Sequence, residues 1–239
     1  MSTREKYKLL AHEWDLIAEQ RLIDLTEGRD KSYFEILKPN MINILGTCNL
    51  KSVLDIGCGV GVFTEEVGKL AKEVTAIDIS CNSIELAKSN CGNPNIKYEC
   101  LNIIDLNISE KFTTVVSNMA LMTIPDLPIV FQQVGRYLED EGAFVFSITH
   151  PSFWPIYWDY ATADFNYNLE TEIVKEFKIR GKVYYNLQTR HYHRPISEYL
   201  ESLLSNHFRL GKFIELRDVD NKYWYPRFLL ISCIKIGRH

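Results

Sequence analysis

The 239-residue sequence is short of several features at once. Its six cysteines, Cys48, Cys58, Cys81, Cys91, Cys100 and Cys233, include no C-x-x-C pair, and their spacings match neither a zinc site nor a disulfide scaffold. All six are therefore expected as reduced thiols, and no metal is expected. No run of 18 apolar residues occurs, and the opening Met1-Ser2-Thr3-Arg4-Glu5-Lys6 is polar where an export signal would turn apolar. No membrane span and no leader is expected, which points to a cytoplasmic protein. Basic charge is not in excess either: 27 Lys and Arg stand against 31 Asp and Glu, a net charge of −4. The attraction that dominates non-specific nucleic-acid binding is missing from the chain as a whole, so no nucleic-acid partner is expected. Twelve glycines and eight prolines beside 46% apolar residues exclude fibrous and disordered chains. There is no internal repeat. The length allows one large domain with an insertion or two small ones.

What is present has a clear order. Leu9, Leu10, Trp14, Ile17, Ala18 and Leu22 fall near helical spacing, predicting one or two helices over 5–26. Asn40 to Leu45 forms another helix candidate, stopped by Gly46. From Lys51 short apolar runs alternate with helical patterns: strands at Val53–Ile56, Val74–Ile77, Ile96–Leu101, around Val115–Val116, and at Ala143–Thr149, with helices between them and a Glu141-Gly142 turn before the fifth strand. This alternation predicts a parallel sheet with helices on both faces. Residues 151–194 break the pattern and hold 11 of the chain's 29 aromatic residues. Thr171–Arg180 and Lys182–His193 read as two antiparallel strands turning at Gly181. A helix at Ile196–Leu204 and strand candidates Phe213–Leu216 and Phe228–Ile236 complete the chain.

The strongest chemical signal is Val53-Leu54-Asp55-Ile56-Gly57-Cys58-Gly59-Val60-Gly61, a strand entering a glycine turn that opens a helix. Glycines let the backbone turn sharply and let a ligand approach it, and the helix start offers unpaired N–H groups. Asp78 ends the next strand 21 residues after Gly57, where a carboxylate can take both hydroxyls of a ribose. A nucleoside-containing cofactor is expected. The glycine spacing is G-x-G-x-G, with Val62 where a dinucleotide site wants its third glycine, which argues against NAD.

These residues resemble the class I S-adenosylmethionine-dependent methyltransferases, well over 51–150 and more loosely in the flanks. The resemblance implies a Rossmann-like, doubly wound α/β fold with a seven-stranded sheet whose last strand is antiparallel, and S-adenosyl-L-methionine as cofactor. On that pattern the chain is a single domain, 1–239: N-terminal helices over 1–45, a cofactor-binding core over 51–150, an aromatic-rich cap over 151–194, and the last helix with the C-terminal strands over 195–239. The glycine loop (Gly57, Cys58, Gly59, Gly61) would lie under the methionine part of the cofactor, with Asp55 holding its amino group and Asp78, beside Ile79, its ribose. Where similar enzymes carry an acid toward the adenine amine, this chain has Asn102, beside Ile103, with Asp105 a weaker rival; an Asn carbonyl oxygen can still accept from that amine. Asn118 would sit beside the sulfonium, and Trp14 on a leading helix that folds over the cofactor. Ser117-Asn118-Met119-Ala120 is not the [DNS]-P-P-[YF] motif of nucleic-acid aminomethyltransferases.

The expected reaction is methyl transfer to a small-molecule acceptor, at oxygen or nitrogen, by a monomer or homodimer. His150 and His193 are the candidate catalytic bases, and Trp154, Tyr157, Trp158 and His191 the candidate substrate-binding residues. Two other readings stay open at this point: a protein or RNA methyltransferase, and a non-catalytic protein that only binds the cofactor.

Overall fold

In the computed structural model, residues 2–179 and 182–237 are described. The leading helix α1 is a single helix, Thr3–Thr26, closed at its start by a reciprocal pair in which the Ser2 side chain accepts from the Glu5 amide and Glu5 accepts from that of Ser2. It buries Tyr7, Leu10, Ile17, Ala18 and Leu25 along one side. A π-helical turn, Tyr33–Leu37, runs directly into α2, Lys38–Leu45, so the second helical segment begins earlier than the apolar run at Met41 suggested.

The alternating core follows as β1 (Ser52–Ile56), α3 (Val62–Gly68), β2 (Glu73–Asp78), α4 (Cys81–Asn90), β3 (Ile96–Cys100), β4 (Phe112–Asn118), α5 (Leu127–Tyr137) and β5 (Leu138–Thr149). The expected turn at Glu141-Gly142 is absorbed into β5: Glu141 takes φ +59°, and the pairing with β4 shifts register between Phe112 and Thr114. Next come a short helix α6 (Trp154–Tyr157), a ribbon of β6 (Thr171–Ile179) and β7 (Lys182–His193), then α7 (Ile196–Ser205), β8 (Phe208–Leu216) and β9 (Phe228–Lys235). The turn expected at Gly181 lies outside the described residues.

Seven strands form one sheet in the order β3-β2-β1-β4-β5-β9-β8, while β6 and β7 pair only with each other. β1 to β5 are parallel, and β9 runs antiparallel to both β5 and β8. Because successive strand residues face opposite sides, Leu54, Ile56, Val115, Phe144 and Phe146 pack under α5 and α7, and Val53, Val116 and Val145 pack under α2 and α3. Chain order reverses between β1 and β4, and a sheet of this kind leaves a crevice beyond the carboxyl ends of its strands at that reversal. Among the described residues no helix is long and apolar enough to cross a membrane.

The cysteine expectation is corrected. Cys81 and Cys100 form a disulfide, with Cα atoms 5.1 Å apart. Their pairing is a product of the sheet rather than of sequence spacing: β2 and β3 set Asp78 opposite Cys100, and α4 starts at Cys81 just past the end of β2. Cys48, Cys58, Cys91 and Cys233 are free.

Candidate active site

The glycine turn of β1 is built for close approach. Gly57, Gly59 and Gly61 take φ +73°, +54° and +79°, the left-handed region that costs other residues about 1–2 kcal/mol. At Gly57 a Cβ would stand 2.3 Å from the Cβ of Ala120, so the turns after β1 and β4 can touch only if this residue is glycine. The turn after β4 carries its own strain, since Met119 also takes positive φ, at 60°, and is held there by its amide donating to Ser147 Oγ at 3.1 Å.

Around these turns lies a cavity of ≈250 Å³. One end is lined by Asp55, Gly57, Cys58, Gly59, Asp78, Ile79, Asn102, Ile103, Asn118 and Trp14, so ten of the eleven residues expected to hold the cofactor converge on it. The eleventh, Gly61, sits behind the turn, where a Cβ would meet Ala87, Tyr98 and Cys91 at about 3 Å; its work is packing. Asp105 does not line the cavity.

Asp55 is fully buried. Its Oδ2 accepts from Thr64 Oγ1 at 2.7 Å, and its Oδ1 has no partner in the protein. Burial pushes its carboxyl up to about 7. A buried carboxylate with a vacant oxygen wants a cation, which is what the amino group of a methionine moiety offers. Asp78 accepts from the Gly59 amide through Oδ2 and the Ser80 amide through Oδ1, both at 2.8 Å, leaving further lone pairs for a diol. Burial outweighs those two donors and raises its carboxyl as well. The residues present therefore fit S-adenosylmethionine. Asn102 accepts from the Ile104 amide at 3.3 Å, a bond that fixes the turn after β3.

The helix α1 closes this end. Asp15 Oδ1 accepts from Ser80 Oγ at 2.7 Å and from the Asn82 amide at 3.0 Å, pinning α1 to the start of α4 and setting Trp14 over the cavity. Trp14 meets Phe177 of β6 edge-on with centroids 6.3 Å apart, so the ribbon rests on the same helix.

The other end of the cavity is lined by Trp154, Tyr157, Trp158 and His191, the four residues expected to meet the substrate, together with Tyr33, Phe177, Lys178, Ile179, Arg190 and Arg227. His191 is buried, 3.5 Å from Thr149 Oγ1, and burial lowers its imidazole to about 3, so the ring is neutral. The two histidines expected as bases are placed elsewhere. His150 accepts from the Ser152 amide through Nδ1 at 3.2 Å, which leaves its Nε2–H to donate to Glu215 at 3.0 Å, and the ring does not line the cavity. His193 donates to the Tyr167 carbonyl at 2.9 Å and is packed among Tyr160, Phe165 and Tyr167, also away from the cavity. Proximity to the fifth strand's end pointed at His150, but the first residue past the strand turns its ring toward β8.

Lys178, Arg190 and Arg227 were not foreseen as site residues. Arg227 donates through Nε to Asp218 at 2.8 Å and through a terminal nitrogen to Ser32 at 2.8 Å, while Arg190 is taken up by Glu13, at 3.0 Å, and by Glu172. Lys178 lies over the ring of Tyr157, 4.6 Å from its centroid. The alternation of β6 sets Lys178 on the face opposite Phe177 and Ile179, so its place on the cavity wall follows from tertiary packing and carried no signal in the sequence.

A family model for a methyltransferase domain matches residues 47–197, more than half of the chain. A malonyl-[acyl-carrier protein] O-methyltransferase of Acetivibrio thermocellus is 28% identical over 140 residues, 55% of this chain and 50% of that protein. A ubiquinone biosynthesis O-methyltransferase of Coxiella burnetii is 28% identical over 122 residues, 50% of this chain and 52% of that protein. The chain thus spans about half the length of the curated relatives it matches. Among solved structures, a Listeria monocytogenes protein assigned as an S-adenosylmethionine-dependent methyltransferase is 29% identical, with TM-score 0.69, covering 83% of this chain and 97% of that one. DhpI, solved as a complex with SAH, shares the fold at TM-score 0.68 and 17% identity, covering 97% of this chain and 98% of that one.

Proposed function

The chain belongs to the methyltransferase-domain family, the class I S-adenosylmethionine-dependent enzymes, and from that premise we propose that it transfers the cofactor's methyl group to a small-molecule acceptor. The observation that carries the acceptor half is the cavity itself: it continues from Asp55 and Asp78 into a chamber walled by Trp154, Tyr157, Trp158 and the ribbon. A protein or RNA substrate needs an open groove, and a protein that only binds the cofactor has no need of a second chamber. Oxygen is favoured as the acceptor atom, since the similar curated proteins are O-methyltransferases by name.

When bound, S-adenosylmethionine supplies a methyl group activated on a positive sulfonium. The chain's own residues do the rest. Asp55 would hold the amino group through its vacant Oδ1, Asp78 the ribose hydroxyls, and Asn102 the adenine amine. Trp14, Trp154, Tyr157, Trp158 and Phe177 exclude water from the chamber where an attacking atom must line up behind the methyl group, and that alignment supplies much of the rate.

Incubating the protein and deuterium-labelled S-adenosylmethionine with a metabolite extract, and separately with protein and RNA, tests the reading. Label in a small product supports it. Label confined to macromolecules, or none anywhere despite tight S-adenosylhomocysteine binding, overturns it in favour of one of the two rival readings.

A further inference from the structure

The acceptor chamber is unbalanced in charge and in hydrogen-bonding type. Apart from the two cofactor-facing carboxylates, its charged lining is Arg21, Lys178, Arg190 and Arg227 against the single carboxylate of Asp30. Asp30 is paired with Arg21 at 2.7 Å, Arg190 with Glu13 and Glu172, and Arg227 with Asp218. Among the described residues, Lys178 is the lining cation with no carboxylate partner; its ammonium rests on the Tyr157 ring, whose ring also lies 5.0 Å from the Arg227 guanidinium. Other buried polar groups of the described chamber walls without a partner are Trp154 Nε1, Trp158 Nε1 and Arg190 Nε, which can only donate, and the Tyr33 hydroxyl, which can donate or accept.

Apart from Lys178 itself and the cofactor-facing carboxylates, no evident base lines the chamber among the described residues. His150 and His193 lie outside it, Asp30 is committed to Arg21, and His191 is buried against Thr149 with its ring held neutral and weakly basic. A hydroxyl or ammonium acceptor must lose a proton to some group before or during attack. A carboxylate need not.

Resting on the methyl-transfer reading above, we propose that the acceptor is a small organic acid whose carboxylate, drawn in by Lys178, is the atom group methylated, giving a methyl ester. The balance is simple. A carboxylate oxygen lone pair forms the new O–CH3 bond as the S–CH3 bond breaks, its electron pair returns to sulfur, and no proton moves. The carboxylate and sulfonium charges are both lost, which a dry chamber favours. One unpaired ammonium matches one carboxylate; a doubly charged phosphoryl group would leave a charge uncompensated in the chamber.

The test uses the full chain. A metabolite extract is split on an anion exchanger, each fraction is incubated with the protein and deuterium-labelled S-adenosylmethionine, and products are treated with dilute alkali, which frees methanol from esters and leaves ethers and N-methyl groups intact. Labelled methanol from the retained, acidic fraction is expected. Lys178→Gln should raise the KM for that fraction by about tenfold or more while Lys178→Arg keeps it within a few-fold, and both should bind S-adenosylhomocysteine as the parent does. Label that resists alkali, acceptor activity in the unretained fraction, a Lys178→Gln KM equal to the parent's, or no transfer from the acidic fraction by a protein that binds S-adenosylhomocysteine would each overturn the proposal. Loss of activity in Lys178→Arg as deep as in Lys178→Gln would overturn it too, by making the lysine a base. Failure of the parent to bind S-adenosylhomocysteine would instead count against the methyl-transfer reading itself.

Discussion

Replacing Asp55 by asparagine should make the protein less sensitive to alkali and poorer at holding its cofactor. Burial raises the Asp55 carboxyl from 3.8 to about 7. For an acid raised in this way, the folded state binds a proton that the unfolded chain has already released, so its stabilising contribution is complete below 3.8 and is lost as pH rises through about 7. At about 1.4 kcal/mol for each pH step, the full loss approaches ~4 kcal/mol, and between about pH 5 and about pH 8 it is ~3 kcal/mol. The neutral asparagine has no such loss. It leaves one amide group facing the cavity without a partner, a fixed cost of about 1–3 kcal/mol that does not change with pH. Comparing urea unfolding of Asp55→Asn and the parent at both pH values cancels that fixed cost, and Asp78, raised in the same direction, is present in both proteins and cancels as well. The parent should lose ~3 kcal/mol more than the variant over the interval, or about 6–10 °C in Tm for a chain of this size. S-adenosylhomocysteine, whose ammonium compensates the carboxylate, should restore much of the parent's loss and bind the variant about tenfold to a hundredfold more weakly. Parallel pH profiles for the two proteins would refute both the buried charge and its role.

Asp78→Ala should weaken S-adenosylhomocysteine binding by about tenfold to a hundredfold in calorimetry, the worth of charge-assisted bonds to a ribose diol at about 1.5–3 kcal/mol. Gly57→Ala forces a Cβ to within 2.3 Å of Ala120 at φ +73°, and should cost about 2–5 kcal/mol in denaturant unfolding. Cys81→Ser opens a loop with a sequence separation of 19 and should lower stability by about 3 kcal/mol, the parent in reductant falling to the same level. His150→Gln and His193→Gln should each keep turnover within a few-fold, since neither ring lines the cavity; a hundredfold loss in a folded variant would return the base to one of them.

Most of the sheet was legible because a parallel core is written locally. Each strand is a short apolar run, each crossover helix carries its own 3.6-residue period, and handedness leaves little freedom in how they wind. What the pattern missed are features made by neighbours in space. β5 swallowed its preceding turn because β4 continues beside it, and α2 began early because Tyr33, Ile36 and Leu37 had a buried face available before the apolar run itself. The Cys81–Cys100 bond joins residues that no short-spacing motif relates, and only the β2–β3 register makes them adjacent.

The site divides along the same line. The cofactor end was readable since its residues sit at or just past strand ends and in one glycine turn, where position in the chain fixes position in space: Asp78 and Asn118 close β2 and β4, Asp55 is the last residue but one of β1, and Asn102 lies in the turn after β3, all at the same edge. The acceptor end is assembled from α1, α6, the ribbon and the start of β9, elements whose arrangement is set by tertiary packing and not by the βαβ rule. Residue type alone therefore ranked three histidines there without being able to aim them. Aim decides their chemistry: His150 turns to Glu215, His193 to the Tyr167 carbonyl, and only His191 turns inward, where burial strips it of its proton. The charge that remains inward is that of Lys178, whose side chain β6 lays over Tyr157 with no carboxylate at ion-pair distance among the described residues, Asp159 acting on it only from further off, whereas each arginine of the chamber has a paired acid.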